Sequence, residues 1–311
     1  MGADVMNELE RKRAANLWEP FARKFPPVAK ACTLVATPAT TLADIGGLED
    51  AKDEIVTYAC AATEPEIYER WGTFAPSGLL LIGPAGSGKS LLAAALAART
   101  ETPFLRIGVA RLVLQLVHAG GKPADLLQGW LETLLEIKRL SVYFDELDFA
   151  HDPALGAPRL DLPVSPLSDF LLELIDTTIG VTQSLTVGST SRPDTLSPVY
   201  FQPGRFERIV AVTPLFPSDV MAALELHTAA AEKRAGRKLF AKIDWQRVIE
   251  QNRDSSIGAW VQLMHAVLRR KARCDAASER PGEVTTDDAL AEVDRFKRAT
   301  LRLPVPSGRY L

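Results

Sequence analysis

Gly83-Pro84-Ala85-Gly86-Ser87-Gly88-Lys89-Ser90 matches G-x-x-x-x-G-K-[ST] at every specified position. A short apolar run, residues 78–82, precedes it, and a helix-forming run, residues 89–100, follows. Strand, glycine-rich turn and helix in that order make a phosphate cradle. The glycines let backbone N–H groups curl around a phosphate, and the helix N-terminus adds its positive dipole end. Lys89 is placed to reach β- and γ-phosphate oxygens, and Ser90 to offer a hydroxyl to Mg²⁺. Pro84, Ala85, Gly86, Ser87, Gly88, Lys89, Ser90 and Leu91 are the expected binding residues for a nucleoside triphosphate, ATP with Mg²⁺.

The second informative stretch is Leu140-Ser141-Val142-Tyr143-Phe144-Asp145-Glu146. An apolar strand that ends in adjacent carboxylates would set Asp145 beside the Mg²⁺ water shell. Glu146 could then polarise the attacking water as a general base. Alone, such a stretch reads as a charged strand end before a turn; after a phosphate loop it reads as catalytic.

Outward from these two motifs, strand and helix signals alternate. Residues 103–107, 141–144, 185–189 and 208–212 read as strands, and residues 125–139 and 167–176 as helices. That alternation predicts an α/β fold, a parallel sheet with helices on both faces. Beyond Pro214 the pattern is helical only, over residues 219–235, 245–251, 257–273 and 286–297. The division expected is 1–40 for an N-terminal helix and linker, 41–213 for the nucleotide-binding α/β domain and 214–311 for a small all-helical lid. In residues 7–25, Leu9, Leu17, Phe21 and Phe25 share a helix face. That face suits either packing on its own domain or binding a partner. Pro26-Pro27 ends the pattern, a short linker follows through Thr41, and residues 151–166 read as a surface loop.

Composition limits the alternatives. A chain of 311 residues with 47% hydrophobic and 24% charged residues can bury a core without metal or disulfide staples. A net charge of −3 gives no sign of a nucleic-acid coat, though it leaves room for a local basic patch. Cys32, Cys60 and Cys274 share no ligand spacing and read as free thiols of a reducing, cytoplasmic setting. Residues 1–13 are charged and lack the apolar segment of a signal peptide, and no apolar run is long enough to span a bilayer.

Further motifs carry a family resemblance over residues 41–296. Asp44-Ile45-Gly46-Gly47-Leu48-Glu49-Asp50-Ala51-Lys52 is similar to the opening segment of the AAA branch of the AAA+ ATPases. Asp145-Glu146-Leu147-Asp148, Thr190-Ser191-Arg192-Pro193-Asp194 and Pro203-Gly204-Arg205-Phe206-Glu207-Arg208 resemble later motifs of that branch, in order. His227 falls where the family has a histidine near the nucleotide, and Gly258-Ala259-Trp260 resembles its lid motif G-A-D. The resemblance implies nucleotide contacts from Asp44, Ile45, Gly46, His227, Gly258 and Ala259. It implies a ring of this chain or a related AAA subunit, with Arg205 acting as an arginine finger in the neighbour's site and Ser191 as the polar sensor.

The sequence departs from the family pattern at several positions. Ser191 stands for the usual Asn, Gln202 for a second arginine, and Asp176-Thr177-Thr178 for D-G-F. His118 of Val117-His118-Ala119-Gly120 stands at the aromatic pore position, where it could grip a protein substrate or be an ordinary loop histidine. Trp260 replaces Asp, and packing is its expected role. The leading expectation is an ATPase that remodels or disassembles a protein substrate or assembly. The competing one is a nucleotide-binding structural or regulatory subunit with slow or no turnover. A nucleic-acid remodeller ranks third, because no helix-turn-helix signature or aromatic–basic interleaving is present.

Overall fold

The computed structural model describes residues 2–119, 123–152, 157–158, 164–181, 183–279 and 281–300. Its main sheet contains β1 (Cys32–Val35), β2 (Leu79–Ile82), β3 (Phe104–Gly108), β4 (Leu140–Asp145), β7 (Ser184–Thr190) and β8 (Arg208–Ala211), and two two-residue strands, β5 (His151–Asp152) and β6 (Ala157–Pro158), form a separate antiparallel hairpin. The order is β1-β3-β4-β7-β2-β8. Every pairing is parallel except β1 with β3.

Side-chain alternation along each strand divides the apolar residues between two faces. Leu79, Leu81, Tyr143 and Val187 join one core with Ile55, Leu92 and Leu96, on helices Glu49–Thr63 and Lys89–Arg99. Leu80, Leu105, Val142 and Phe144 join the opposite core with Leu112, Trp130 and Leu174, on helices Val109–Ala119, Pro123–Ile137 and Val164–Ile179. Both faces are therefore covered, which is why β2 and β4 read as nearly unbroken apolar runs. The helices Ser218–Ala235, Trp245–Ile249, Ile257–Ala276 and Thr286–Thr300 surround a third core that includes Leu224, Val248, Trp260 and Met264. Trp260 is 1% exposed, so packing is what its ring does here.

Four details differ from the sequence reading. The expected linker holds a helix, Pro26–Ala31, and then β1, whose antiparallel pairing makes the sheet mixed. Four residues with alternating exposure are too short for a reliable strand signal. The helices Glu49–Thr63 and Val109–Ala119 lie in stretches that had no element assigned. The helix expected at residues 7–25 runs over Gly2–Lys24, and it docks on its own α/β unit. Ala14 and Phe21 are buried, and Trp18 and Phe21 meet the Trp130 ring at centroid distances of 6.2 Å and 5.7 Å. His151 lies in the short hairpin; its side chain, like that of His118, falls outside the described residues. Gly120 lies outside them altogether.

Candidate functional site

In a parallel sheet, ligands collect at the C-terminal strand ends. Here β2 lies between β7 and β8, with β4 one strand further on. The loop after β2, the carboxylates ending β4 and Ser191 after β7 therefore converge. Lys89 Nζ donates to Ser191 Oγ at 3.2 Å, across 102 residues of sequence. It also donates to the Gly83 and Pro84 carbonyls, at 2.6 Å and 2.9 Å. An ammonium has three protons, so a phosphate can take up Lys89 only by displacing one of these acceptors. Burial lowers the Lys89 pKa, while Asp145, Asp148 and Glu146 act to raise it.

The loop has the features of a phosphate cradle. Gly88, with φ 108°, takes a backbone conformation that a side chain would strain, and it leads into the helix Lys89–Arg99. Ser87 Oγ is buried without a hydrogen-bond partner among the described residues, a polar atom suited to a ligand. Ser90 and Asp145 offer only oxygen donors, the chemistry that Mg²⁺ takes. These residues fit a nucleotide with Mg²⁺.

Asp145 is held on both oxygens. Oδ1 accepts from Tyr143 OH at 2.8 Å and Ser189 Oγ at 2.9 Å. Oδ2 accepts from Arg106 Nε at 2.9 Å and also from Arg106 Nη2. Burial works against the Arg106 charge, but the hydrogen bond and charge of Asp145 outweigh it and raise the pKa. Burial and the nearby Asp145 charge push the Tyr143 hydroxyl pKa up. Glu146 has φ 63°, uncommon outside glycine, and its N–H reaches Ser189 Oγ at 3.3 Å. Burial raises the Glu146 pKa, as do Asp145 and Asp148, while Arg106 and Lys89 pull it down. A carboxylate with a raised pKa is a stronger base.

The helical region closes on the loop. Gly258 N–H donates to Gly86 O at 3.2 Å. The Ala259 N–H caps its own helix on Ser256 Oγ at 3.2 Å. A cavity of about 470 Å³ opens between the two parts, lined by Pro84, Ala85, Phe216, Val220, Arg253 and Ile257 among others. The Arg253 guanidinium lies 5.5 Å from the centre of the Phe216 ring.

The remaining expected site residues make the following contacts within the chain. The Asp44 carboxylate accepts from Thr41 N and Oγ1, both at 2.7 Å, and these bonds hold its pKa down. Ile45 is buried in a core, and Gly46 presses against the Ala223 backbone. Leu48 from the same segment does reach the loop, because a Cβ added at Gly88 would lie 3.2 Å from its Cδ1. His227 stands edge-on to His265, ring centroids 6.4 Å apart. Arg205 bonds to Asp176, Val199 and Gln202, none of which is in the loop. Sequence reasoning missed Arg106, Tyr143 and Ser189. A charge inside the otherwise apolar β3, and hydroxyls near the ends of β4 and β7, were the available signals.

Residues 79–214 match the family model for the ATPase family associated with various cellular activities (AAA). The chain is 29% identical over 277 residues to a proteasome-activating nucleotidase of Thermococcus kodakarensis, covering 87% of this chain and 65% of that protein. It is 32% identical over 207 residues to the proteasome-activating nucleotidase of Methanocaldococcus jannaschii, covering 64% of this chain and 46% of that protein. An ATP-dependent zinc metalloprotease FtsH 1 of Sphaerobacter thermophilus is 30% identical over 217 residues, covering 69% of this chain and 32% of that protein. The chain thus spans just under two thirds of the Thermococcus protein's length.

Proposed function

Taking residues 79–214 as an AAA-family ATPase domain, we propose that this chain binds ATP with Mg²⁺ on the phosphate loop and hydrolyses it to remodel a protein substrate. The observation that carries this reading is the convergence of Lys89, Ser191, Asp145 and Glu146 at the ends of three strands. Lys89 exchanges a loop carbonyl for phosphate oxygen. Ser90 and Asp145 would hold the metal, which would offset charge on the phosphates. Glu146 takes a proton from the attacking water, and Ser191 orients that water or the γ-phosphate. Arg205 acts on the site of an adjacent subunit, in a ring of this chain or a related one.

In this reading residues 41–213 form the nucleotide-binding domain, and residues 214–311 a lid whose movement follows the nucleotide through Gly258. Asp44, Ile45, Gly46, His227 and Ala259 border the nucleoside, and His118 meets the protein substrate at the pore. Among the described residues no helix is long and apolar enough to cross a membrane. The three cysteines are free thiols, which supports a cytoplasmic setting.

The test compares ATP turnover and nucleotide binding of wild type, Lys89→Ala and Glu146→Gln. Turnover by wild type, binding without turnover by Glu146→Gln and neither in Lys89→Ala are expected. Equal, near-zero turnover for all three, with wild-type binding intact, would favour a nucleotide-binding regulatory subunit. The Asp176 grip on Arg205 and the uncharged Gln202 are the observations behind that second reading.

A further inference from the structure

Two buried hydroxyls join the residues assigned above to metal and water. Tyr143 OH lies 2.8 Å from Asp145 Oδ1, 2.8 Å from Ser189 Oγ and 3.2 Å from Ser90 Oγ. Ser189 Oγ lies 2.9 Å from Asp145 Oδ1 and receives the Glu146 N–H at 3.3 Å. Tyr143 and Ser189 are both fully buried, and so are the bonds that join them to each other and to Asp145.

Counting protons gives the direction of each bond. An ionised carboxylate only accepts, and each hydroxyl has one proton to give. Ser189 donates to Asp145, and Tyr143 donates to Asp145 or to Ser189. In either case no Tyr143 proton is left for Ser90. Ser90 must therefore donate to the Tyr143 oxygen, which turns its lone pairs away from the tyrosine. The phenol ring is set by the sheet and by a stack on Phe104, ring centroids 5.9 Å apart. The order exists because Tyr143 and Asp145 lie two residues apart on β4, on one face, with β7 alongside.

We propose that Tyr143, with Ser189 beside it, is a positioning residue for the divalent cation. Its hydroxyl takes the Ser90 proton and braces Asp145 Oδ1, directly or through Ser189, while Arg106 holds Oδ2, so the Ser90 oxygen and the carboxylate are oriented before the cation arrives. This rests on the nucleotide-site reading and adds to it a role for two hydroxyls to which no motif assigned one. Groups that orient metal ligands typically change metal affinity on the order of tenfold or more when removed.

Tyr143→Phe deletes the hydroxyl and keeps the ring; Ser189→Ala removes the second brace. Binding of a fluorescent ADP analogue is measured in EDTA and across a Mg²⁺ titration, with melting temperature as the fold control. Affinity in EDTA should be unchanged in both variants. The Mg²⁺ concentration giving half of its effect should rise on the order of tenfold in Tyr143→Phe, and in the same direction in Ser189→Ala. A wild-type Mg²⁺ curve in folded Tyr143→Phe or Ser189→Ala overturns the proposal. So does lost analogue binding in EDTA, because the role would then be structural. Wild type that binds no analogue with or without Mg²⁺ sinks the nucleotide-site reading itself, a distinct outcome.

Discussion

Arg205 and Asp176 form a two-point ion pair within the chain: Nε donates to Oδ1 and Nη2 to Oδ2, each at 2.7 Å. Nη1 donates to Val199 O at 2.9 Å and reaches Gln202 Oε1 at 3.4 Å. The proposed arginine finger is thus occupied in its own subunit. The pair is partly exposed, and such pairs contribute up to about 1 kcal/mol. In the proposed ring a neighbour's phosphate would compete for it.

Asp176→Asn should raise ATP turnover by up to about fivefold, the factor matching ~1 kcal/mol. Arg205→Ala should lower it on the order of 10³-fold at concentrations where the proposed ring would be assembled. Steady-state turnover against protein concentration checks both. An Arg205→Ala chain as active as wild type would remove Arg205 from the mechanism.

The N-terminal helix should be part of the folded unit. Phe21 is 5% exposed, and a Cβ added at Gly129 would lie 2.5 Å from Phe25 Cε2. Phe21→Ala should cost about 3–5 kcal/mol by cavity formation, and Gly129→Ala about 1–3 kcal/mol by overpacking. Urea unfolding gives both values. Wild-type stability in Phe21→Ala would mean the helix is not docked in solution, restoring the partner-binding alternative.

Gly46 permits a close approach between two parts of the chain. An added Cβ would lie 2.4 Å from both the Ala223 Cα and N, which are backbone atoms unable to swing aside. Gly46→Ala should lose about 1–3 kcal/mol and weaken nucleotide binding, by separating the opening segment from helix Ser218–Ala235. Gly204→Ala is the comparison, since an added Cβ there meets nothing within 4 Å. Its φ of 85° would strain the backbone without disturbing that contact.

The helical region should lose stability on acidification through His227 and His265. Burial lowers the His227 pKa first, then His265 and Arg234; burial lowers that of His265 first, then Arg234 and Arg269. With folded values below the unfolded one of about 6.5, the unfolded chain takes up protons first as pH falls. Their contribution is therefore fully present above about pH 6.5 and is lost as pH drops through the folded values. Urea midpoints should fall less steeply with acidification in His227→Gln/His265→Gln than in wild type. Parallel pH profiles would contradict the linkage.

Much of the site was legible because its chemistry is local. The phosphate loop is one continuous turn, and its glycines, Lys89 and Ser90 act at fixed spacing along the backbone. Asp145 ends, and Glu146 directly follows, a strand that is buried throughout, which an apolar run can announce. The short β1 and helix Pro26–Ala31 were illegible because few residues carry too little periodicity.

Residue type and spacing alone determined the phosphate loop, the carboxylate pair, the α/β pattern and the helical C-terminal part. Tertiary structure decided what surrounds the carboxylates: Arg106 from β3, Tyr143 from β4 and Ser189 from β7 all bond to Asp145. It also decided that Asp176 holds Arg205, and that the first helix covers Trp130. The physical reason is that periodicity reports which face of an element is buried. Lateral strand order and register, set by packing the whole sheet at once, determine which side chains from distant segments meet.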